Sequence, residues 1–213
     1  MEGGLFYILV KCSIKCPKCD NFMPLNGPLL LAHCDFCQSD SKIPEKFWKD
    51  IFDEFYEKLK GESEGKGESL DITGSEWFSE TTVSFHRVIP FCPACSAPFD
   101  VKENLTAPYK HTCSKCGNEI VVAPVSQWLR KIFPKAKILI NADLQGEKKE
   151  EQVALSEPIA FTCPQCGGGL IVDGKERVIP CRFCGINVYI SDDLWLRLHP
   201  ERVKTRWFIG FED

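Results

Sequence analysis

The sequence predicts a small metal-bound α+β protein of three tandem units, each a β-hairpin around four cysteines followed by a short helix bearing a tryptophan. Three observations predict it. Twelve of the 13 cysteines fall into six Cys-x-x-Cys pairs. The pairs group in twos at similar spacing. A tryptophan follows each second pair by eleven or twelve residues, at Trp48, Trp128 and Trp195.

The groups are Cys16, Cys19, Cys34 and Cys37; Cys92, Cys95, Cys113 and Cys116; and Cys163, Cys166, Cys181 and Cys184. The middle spacings are 14, 17 and 14 residues. Two residues between thiolates let one tight turn aim both sulfurs at one ion, and two such turns complete a tetrahedral shell. The middle spacings lie within or just below the range of zinc sites. Three zinc ions, one per four-cysteine site, are therefore expected. Asn26-Gly27 and Asp173-Gly174, each seven residues past a first turn, read as two-residue hairpin turns joining the paired turns. The middle unit has Lys102-Glu103-Asn104-Leu105 instead, where its three extra residues are expected. Asp20, Ser96 and Gly167 follow the first turns, and Gln38, Gly117 and Gly185 the second. Glycine suits the left-handed end of such a turn. Gln38 departs from it, so the first site is expected to be the most strained or solvent-open.

The knuckles Cys-Pro-Lys-Cys, Cys-Pro-Ala-Cys and Cys-Pro-Gln-Cys, with their second knuckles, resemble zinc ribbons of the rubredoxin-like type. The resemblance covers about half the chain. It implies three tandem zinc ribbons and no particular function, because that fold serves many. The third unit with its tail, "VYISDDLWLRLHP", is also similar to ribbons of uncharacterised bacterial proteins, which implies no activity. Rubredoxins hold iron on four cysteines, but their knuckles lie farther apart than these.

Each tryptophan is expected to lie on a helix that covers its own hairpin and buries a large apolar area. Pro44 and Pro124 suit first helical positions. Ser191 can cap the third helix, with Asp192 and Asp193 at its positive end. Pro134 and Pro200 end the second and third helices. The first is longer: Phe47, Ile51, Phe55 and Leu59 form one stripe beside Trp48, Phe52 and Tyr56, and Gly61 ends it.

The expected organisation is a first ribbon and long helix at 1–60, a flexible linker at 61–80 and a second ribbon with helix at 81–145. A charged loop at 146–157 leads to a third ribbon with helix and C-terminal strand at 158–213. The linker reading rests on "GESEGKGES". Leu5 to Ile14, Thr81 to Phe91, Lys137 to Leu144 and Pro158 to Thr162 read as strands that extend the ribbons. Trp77-Phe78 reads as a docking element or a self-packed turn. Cys12, outside the groups, reads as a core thiol rather than an alternative ligand.

Composition is that of a globular chain, 44% hydrophobic and 26% charged. Met1 to Gly4 lacks a basic leader segment, and Leu5 to Val10 is too short for a leader or a span. A cytoplasmic protein with reduced, metal-bound thiols and no membrane partner is expected. The net charge of -4 disfavours binding to duplex nucleic acid. No nucleotide loop, Gly-x-Ser-x-Gly elbow or His-Glu-x-x-His is found. His33, His86, His111 and His199 read as surface or supporting groups, and four thiolates per site leave no open position for catalysis. The expected function is a non-enzymatic adaptor or scaffold that binds protein partners. The alternative is single-stranded nucleic-acid binding through Lys131, Lys135, Lys137, Arg202, Lys204 and Arg206 beside Trp207 and Phe208. The third is an iron-dependent electron carrier.

Overall fold

The computed structural model of the chain describes residues 4–102, 105–144, 159–172, 176–191, 194 and 206–212. Strands dominate, with few helices, so the class is α+β. The chain divides into two units, Met1–Gly146 with Val203–Asp213, and Glu147–Arg202.

The first unit is built on β1 (Leu5–Lys15), whose alternation buries Phe6, Ile8, Val10, Cys12 and Ile14 on one face, with Ser13 buried on the other. β2 (Phe22–Leu25), β3 (Leu31–Cys34) and β4 (Ser39–Lys42) follow, then α1 (Glu45–Leu59). The sheet grows with β5 (Gly67–Thr73), β6 (Glu80–Val88), β7 (Tyr109–Thr112) and β8 (Glu119–Pro124). After α2 (Gln127–Ile132) comes β9 (Ala136–Ile140). In the second unit β10 (Ile159–Thr162) pairs with β11 (Gly169–Val172), and β12 (Val178–Pro180) with β13 (Asn187–Tyr189). β14 (Trp207–Glu212) returns to the first unit, completing an eight-stranded sheet ordered β5-β6-β1-β14-β9-β8-β7. β2 lies beside the last residues of β1, on the edge that β14 occupies farther back.

Both faces of this sheet are covered. The apolar stripe of α1 puts Trp48, Phe52 and Phe55 against the buried row of β1 and against Trp207, Ile209 and Phe211 of β14. Trp48 stacks on Phe52 at 5.6 Å, meets Trp207 edge-on at 6.3 Å, and donates its ring N–H to the Leu29 carbonyl at 2.7 Å. On the other face Phe208, Ile120, Val122, Ile138 and Ile140 pack with Cys92 and Cys113. Cys12 is a core residue, as expected. α1 ends as expected, with Gly61 at φ 72° just beyond its cap. Pro44 is the cap rather than the first helical residue. Pro124 ends β8, and Ser126 caps α2.

Several expectations change. Residues 61–80 are not simply a linker: β5 pairs along β6 from Gly67↔His86 to Thr73↔Glu80, with Leu70 packed on the core. Backbone pairing holds this polar edge strand, which composition does not reveal. Trp77 and Phe78 pack on α1, Phe78 edge-on to Phe47 at 5.4 Å. The C-terminal strand does not extend the third ribbon; β14 lies between β1 and β9. Asn26-Gly27 is not a hairpin turn. Asn26 is buried and accepts the Asp143 N–H at 2.7 Å, and a Cβ on Gly27 would lie 2.5 Å from the Asp143 carbonyl oxygen. That glycine permits a close backbone approach, not a positive φ. Asp173-Gly174, Glu103, Asn104, the loop at 146–157, Asp192, Asp193, Trp195, His199, Pro200, Arg202 and Lys204 lie outside the described residues.

The repeat is also longer than its cysteines. Each copy has an opening strand (β1, β6 or β10), two cysteine turns, and a closing strand (β5, β9 or β14).

Candidate metal centres

The cysteine turns are the tips of hairpins. β1–β2 closes around Cys16 and Cys19, β3–β4 around Cys34 and Cys37, and β7–β8 around Cys113 and Cys116. β10–β11 and β12–β13 do the same for the third group, and a single bridge, Phe91↔Pro98, serves Cys92 and Cys95. The expected hairpin joining two turns is therefore replaced by one hairpin across each turn.

All six tips share one backbone design. The residue four after the first cysteine donates its N–H to that cysteine's carbonyl, at 2.8–2.9 Å, and takes positive φ. Glycine fills this position at 117, 167 and 185, with φ from 72° to 78°. Asp20, Gln38 and Ser96 adopt it too, at 56–59°. Gln38 is held by side-chain bonds: its amide donates to the Asp35 carbonyl at 2.5 Å, and its oxygen meets His33 Nε2 at 3.2 Å.

Each tetrad brings its four sulfurs within 4.8 Å of one another. The cross-turn separations are 3.7 Å for Cys16–Cys37 and Cys19–Cys34, and 3.6 and 3.7 Å for Cys92–Cys116 and Cys95–Cys113. In the third tetrad Cys163–Cys184 and Cys166–Cys181 stand at 3.8 and 3.7 Å. Disulfide sulfurs would lie about 2.05 Å apart. A tetrahedral shell with metal–sulfur bonds of about 2.3 Å has edges of about 3.8 Å. The residues present thus fit a four-thiolate metal shell, and each tetrad could hold one metal ion. The structure assembles all twelve expected cysteines into these groups and leaves Cys12 out.

Burial grades the three sites. The first has two buried and two half-buried ligands, the second gains one exposed ligand, Cys116, and the third has two, Cys166 and Cys184. The expectation of a solvent-open first site is corrected: Cys16 and Cys34 belong to the main core, and Cys19 and Cys37 pack against it. Sequence reading also missed Ser39, whose hydroxyl lies 2.9 Å from Cys37 Sγ and 3.7 Å from Cys16 Sγ. A serine two residues past a ligand carries no recognisable signal.

The thiols are electrostatically unequal. Burial pushes Cys16 up, but the N–H groups of Lys18 and Cys19 and the Ser39 hydroxyl outweigh it and draw it down to about 6. N–H groups of the turn likewise lower Cys113 to about 7 and Cys181 to about 6. Burial pushes Cys34 up to about 12. At Cys116 and Cys166 one N–H bond lowers the thiol, but sharing protons with the neighbouring cysteines and burial carry it up to about 12. At pH 7 each metal-free tetrad therefore keeps at least one proton that a bound cation must displace. Lower pH favours the protonated, metal-free form. Competition with a chromophoric chelator between pH 6.5 and 7.5 should show affinity falling by roughly tenfold or more per pH unit lost, one decade for each proton displaced. Affinity independent of pH would contradict this.

The described histidines do not join the shells. His33 Nδ1 pairs with Asp40 at 2.8 Å, and His111 stacks on Phe99 at 4.4 Å. Of the basic residues singled out, Lys137 pairs with Glu212 at 2.9 Å, Lys135 lies over Tyr56, and Arg206 lies over Phe91. Trp207 and Phe208 are fully buried, so neither offers a ring for base stacking. No helix among the described residues is long and apolar enough to cross a membrane. In comparison with known proteins, no family model matches the chain, and no curated protein or solved structure is significantly similar to it.

Proposed function

We propose that the chain is a zinc-stabilised, non-enzymatic adaptor or scaffold whose three zinc-ribbon-like sites hold binding surfaces in shape for protein partners. One observation carries this reading: three tetrads with tetrahedral sulfur spacing are distributed over two units, each with its own core. Four thiolates saturate a zinc ion, so the metals serve folding and leave no open position for a substrate. Zinc is favoured over iron by the short spacing between knuckles. Cysteines kept as metal-binding thiolates suit a reducing compartment such as the cytoplasm.

The test is affinity purification of the full, metal-loaded chain with chemical crosslinking. The adaptor reading expects a protein partner in near-stoichiometric amount that is lost when a strong chelator removes the metal. Recovery of nucleic acid in place of protein, or of neither, would contradict it.

A further inference from the structure

Ser39 stands two residues past the second cysteine of its knuckle. The corresponding residues of the other five knuckles are Asn21, Ala97, Asn118, Gly168 and Ile186. Each of those five accepts, on its carbonyl, the N–H of the first cysteine of its turn at 2.7–2.9 Å. Ser39 faces Cys34 in the register of β3 and β4. Residues directly opposed in an antiparallel pair project their side chains to the same face. Backbone pairing thus turns the Ser39 side chain to the face that carries the Cys34 sulfur.

The Ser39 hydroxyl lies 2.9 Å from Cys37 Sγ and 3.7 Å from Cys16 Sγ, and those two sulfurs are 3.7 Å apart, so it caps one edge of the tetrad. Asn21 adds a longer contact, Nδ2 to Cys19 Sγ at 3.5 Å, shared with the Cys19 carbonyl. At the other knuckles alanine, glycine and isoleucine have no side-chain donor. The Asn118 amide donates to the Glu119 carbonyl at 3.4 Å. A metal-bound thiolate has lone pairs and no proton, so the Ser39 hydroxyl must be the donor. A hydrogen bond to a ligand sulfur draws charge from it and fixes its direction.

We propose that Ser39 is a positioning residue of the first metal centre: its hydroxyl donates to the Cys37 thiolate, orients that ligand and lowers its nucleophilicity. The centre therefore resists electrophiles that would strip its metal. This rests on the metal-bound reading of the tetrads and deepens it at one site. Resistance matters most here, because Cys16 and Cys34 belong to the main core of the first unit.

The test uses the full metal-loaded chain with Ser39→Ala and Ser39→Thr; threonine keeps the hydroxyl at a strand position that suits it. Iodoacetamide is the probe. The Cys37 sulfur lone pair forms the new S–C bond as the C–I bond breaks and iodide leaves, and the thioether product is no longer a thiolate ligand. Alkylation of Cys37, timed by peptide mass spectrometry, should be roughly tenfold faster in Ser39→Ala. It should be unchanged at Cys113 and Cys116, and slow again at Cys37 in Ser39→Thr. Cobalt-substituted samples supply a readout that packing alone does not move. Losing the hydrogen bond raises the energy of the sulfur lone pairs, so the thiolate-to-cobalt absorption should shift to longer wavelength in Ser39→Ala and return in Ser39→Thr. Loss of the first metal from Ser39→Ala with retention in Ser39→Thr would support the same role. An unshifted band in metal-loaded Ser39→Ala would overturn the assignment, whatever the Cys37 rate, and leave the metal reading standing. Equal changes in both variants would do the same, making Ser39 a packing residue. A first tetrad that holds no metal in the unsubstituted chain would overturn both.

Discussion

A chain ending at Arg206 will not form the eight-stranded sheet. β14 lies between β1 and β9, so its loss opens both ladders at once. Trp207, Phe208, Ile209 and Phe211 are all fully buried, on both faces of the sheet. At about 2 kcal/mol for each side chain they contribute about 8 kcal/mol, comparable with the whole stability of an ordinary domain, about 5–15 kcal/mol. The indole N–H of Trp207 also donates to the Leu25 carbonyl at 3.0 Å, tying β14 to the end of β2, the strand after the first cysteine turn. Heteronuclear NMR would show amide dispersion collapse throughout the first unit, including residues near Cys16, some 190 positions away in sequence. If only the third tetrad's signals were lost, β14 would belong to the third ribbon, as the sequence alone suggests.

Removing one ligand should have effects of very different reach in the two units. Cys166→Ser is expected to unfold the second unit and leave the first intact. The described core of the second unit is small, chiefly Leu170, Val172, Val188, Ile190 and Leu194 with Cys163 and Cys181. A structural zinc shell contributes on the order of 10 kcal/mol to such a fold, more than this core can replace. Cys34→Ser strikes a ligand that is 1% exposed and packed within the main core. It should lower the melting temperature of the whole first unit and disturb the second tetrad with it, because both tetrads are anchored on one sheet. Residue-resolved NMR of the two variants separates the outcomes. Local loss in both, or global loss in both, would contradict two independent units.

The ligands were legible because metal chemistry is local: four thiolates need two short turns, and spacing announces the turns. The long stripe of α1 and the alternation of β1 were legible for the same reason. What escaped the sequence is non-local. Val10 pairs with Trp207 across nearly the whole chain, and no nearby residue signals which strand an aromatic-rich terminus will join. β5 hid within a Gly- and Glu-rich run because an edge strand needs a paired backbone more than apolar content. Asn26-Gly27 carried a genuine turn signal, but each cysteine turn already closes a hairpin, leaving that dipeptide to dock on Asp143. Two ligands of the first site join the main core of the first unit, so its burial followed from packing and not from the residue after the knuckle.

The most direct measurement is the identity and number of metal ions on the intact chain, by native mass spectrometry with elemental analysis of protein purified without added metal. Three tetrads predict three zinc ions per chain, each displaced only with loss of thiolate coordination in the absorption of a cobalt-substituted sample. Iron in their place would turn the reading toward electron transfer, and a folded chain holding no metal would contradict the three-centre architecture.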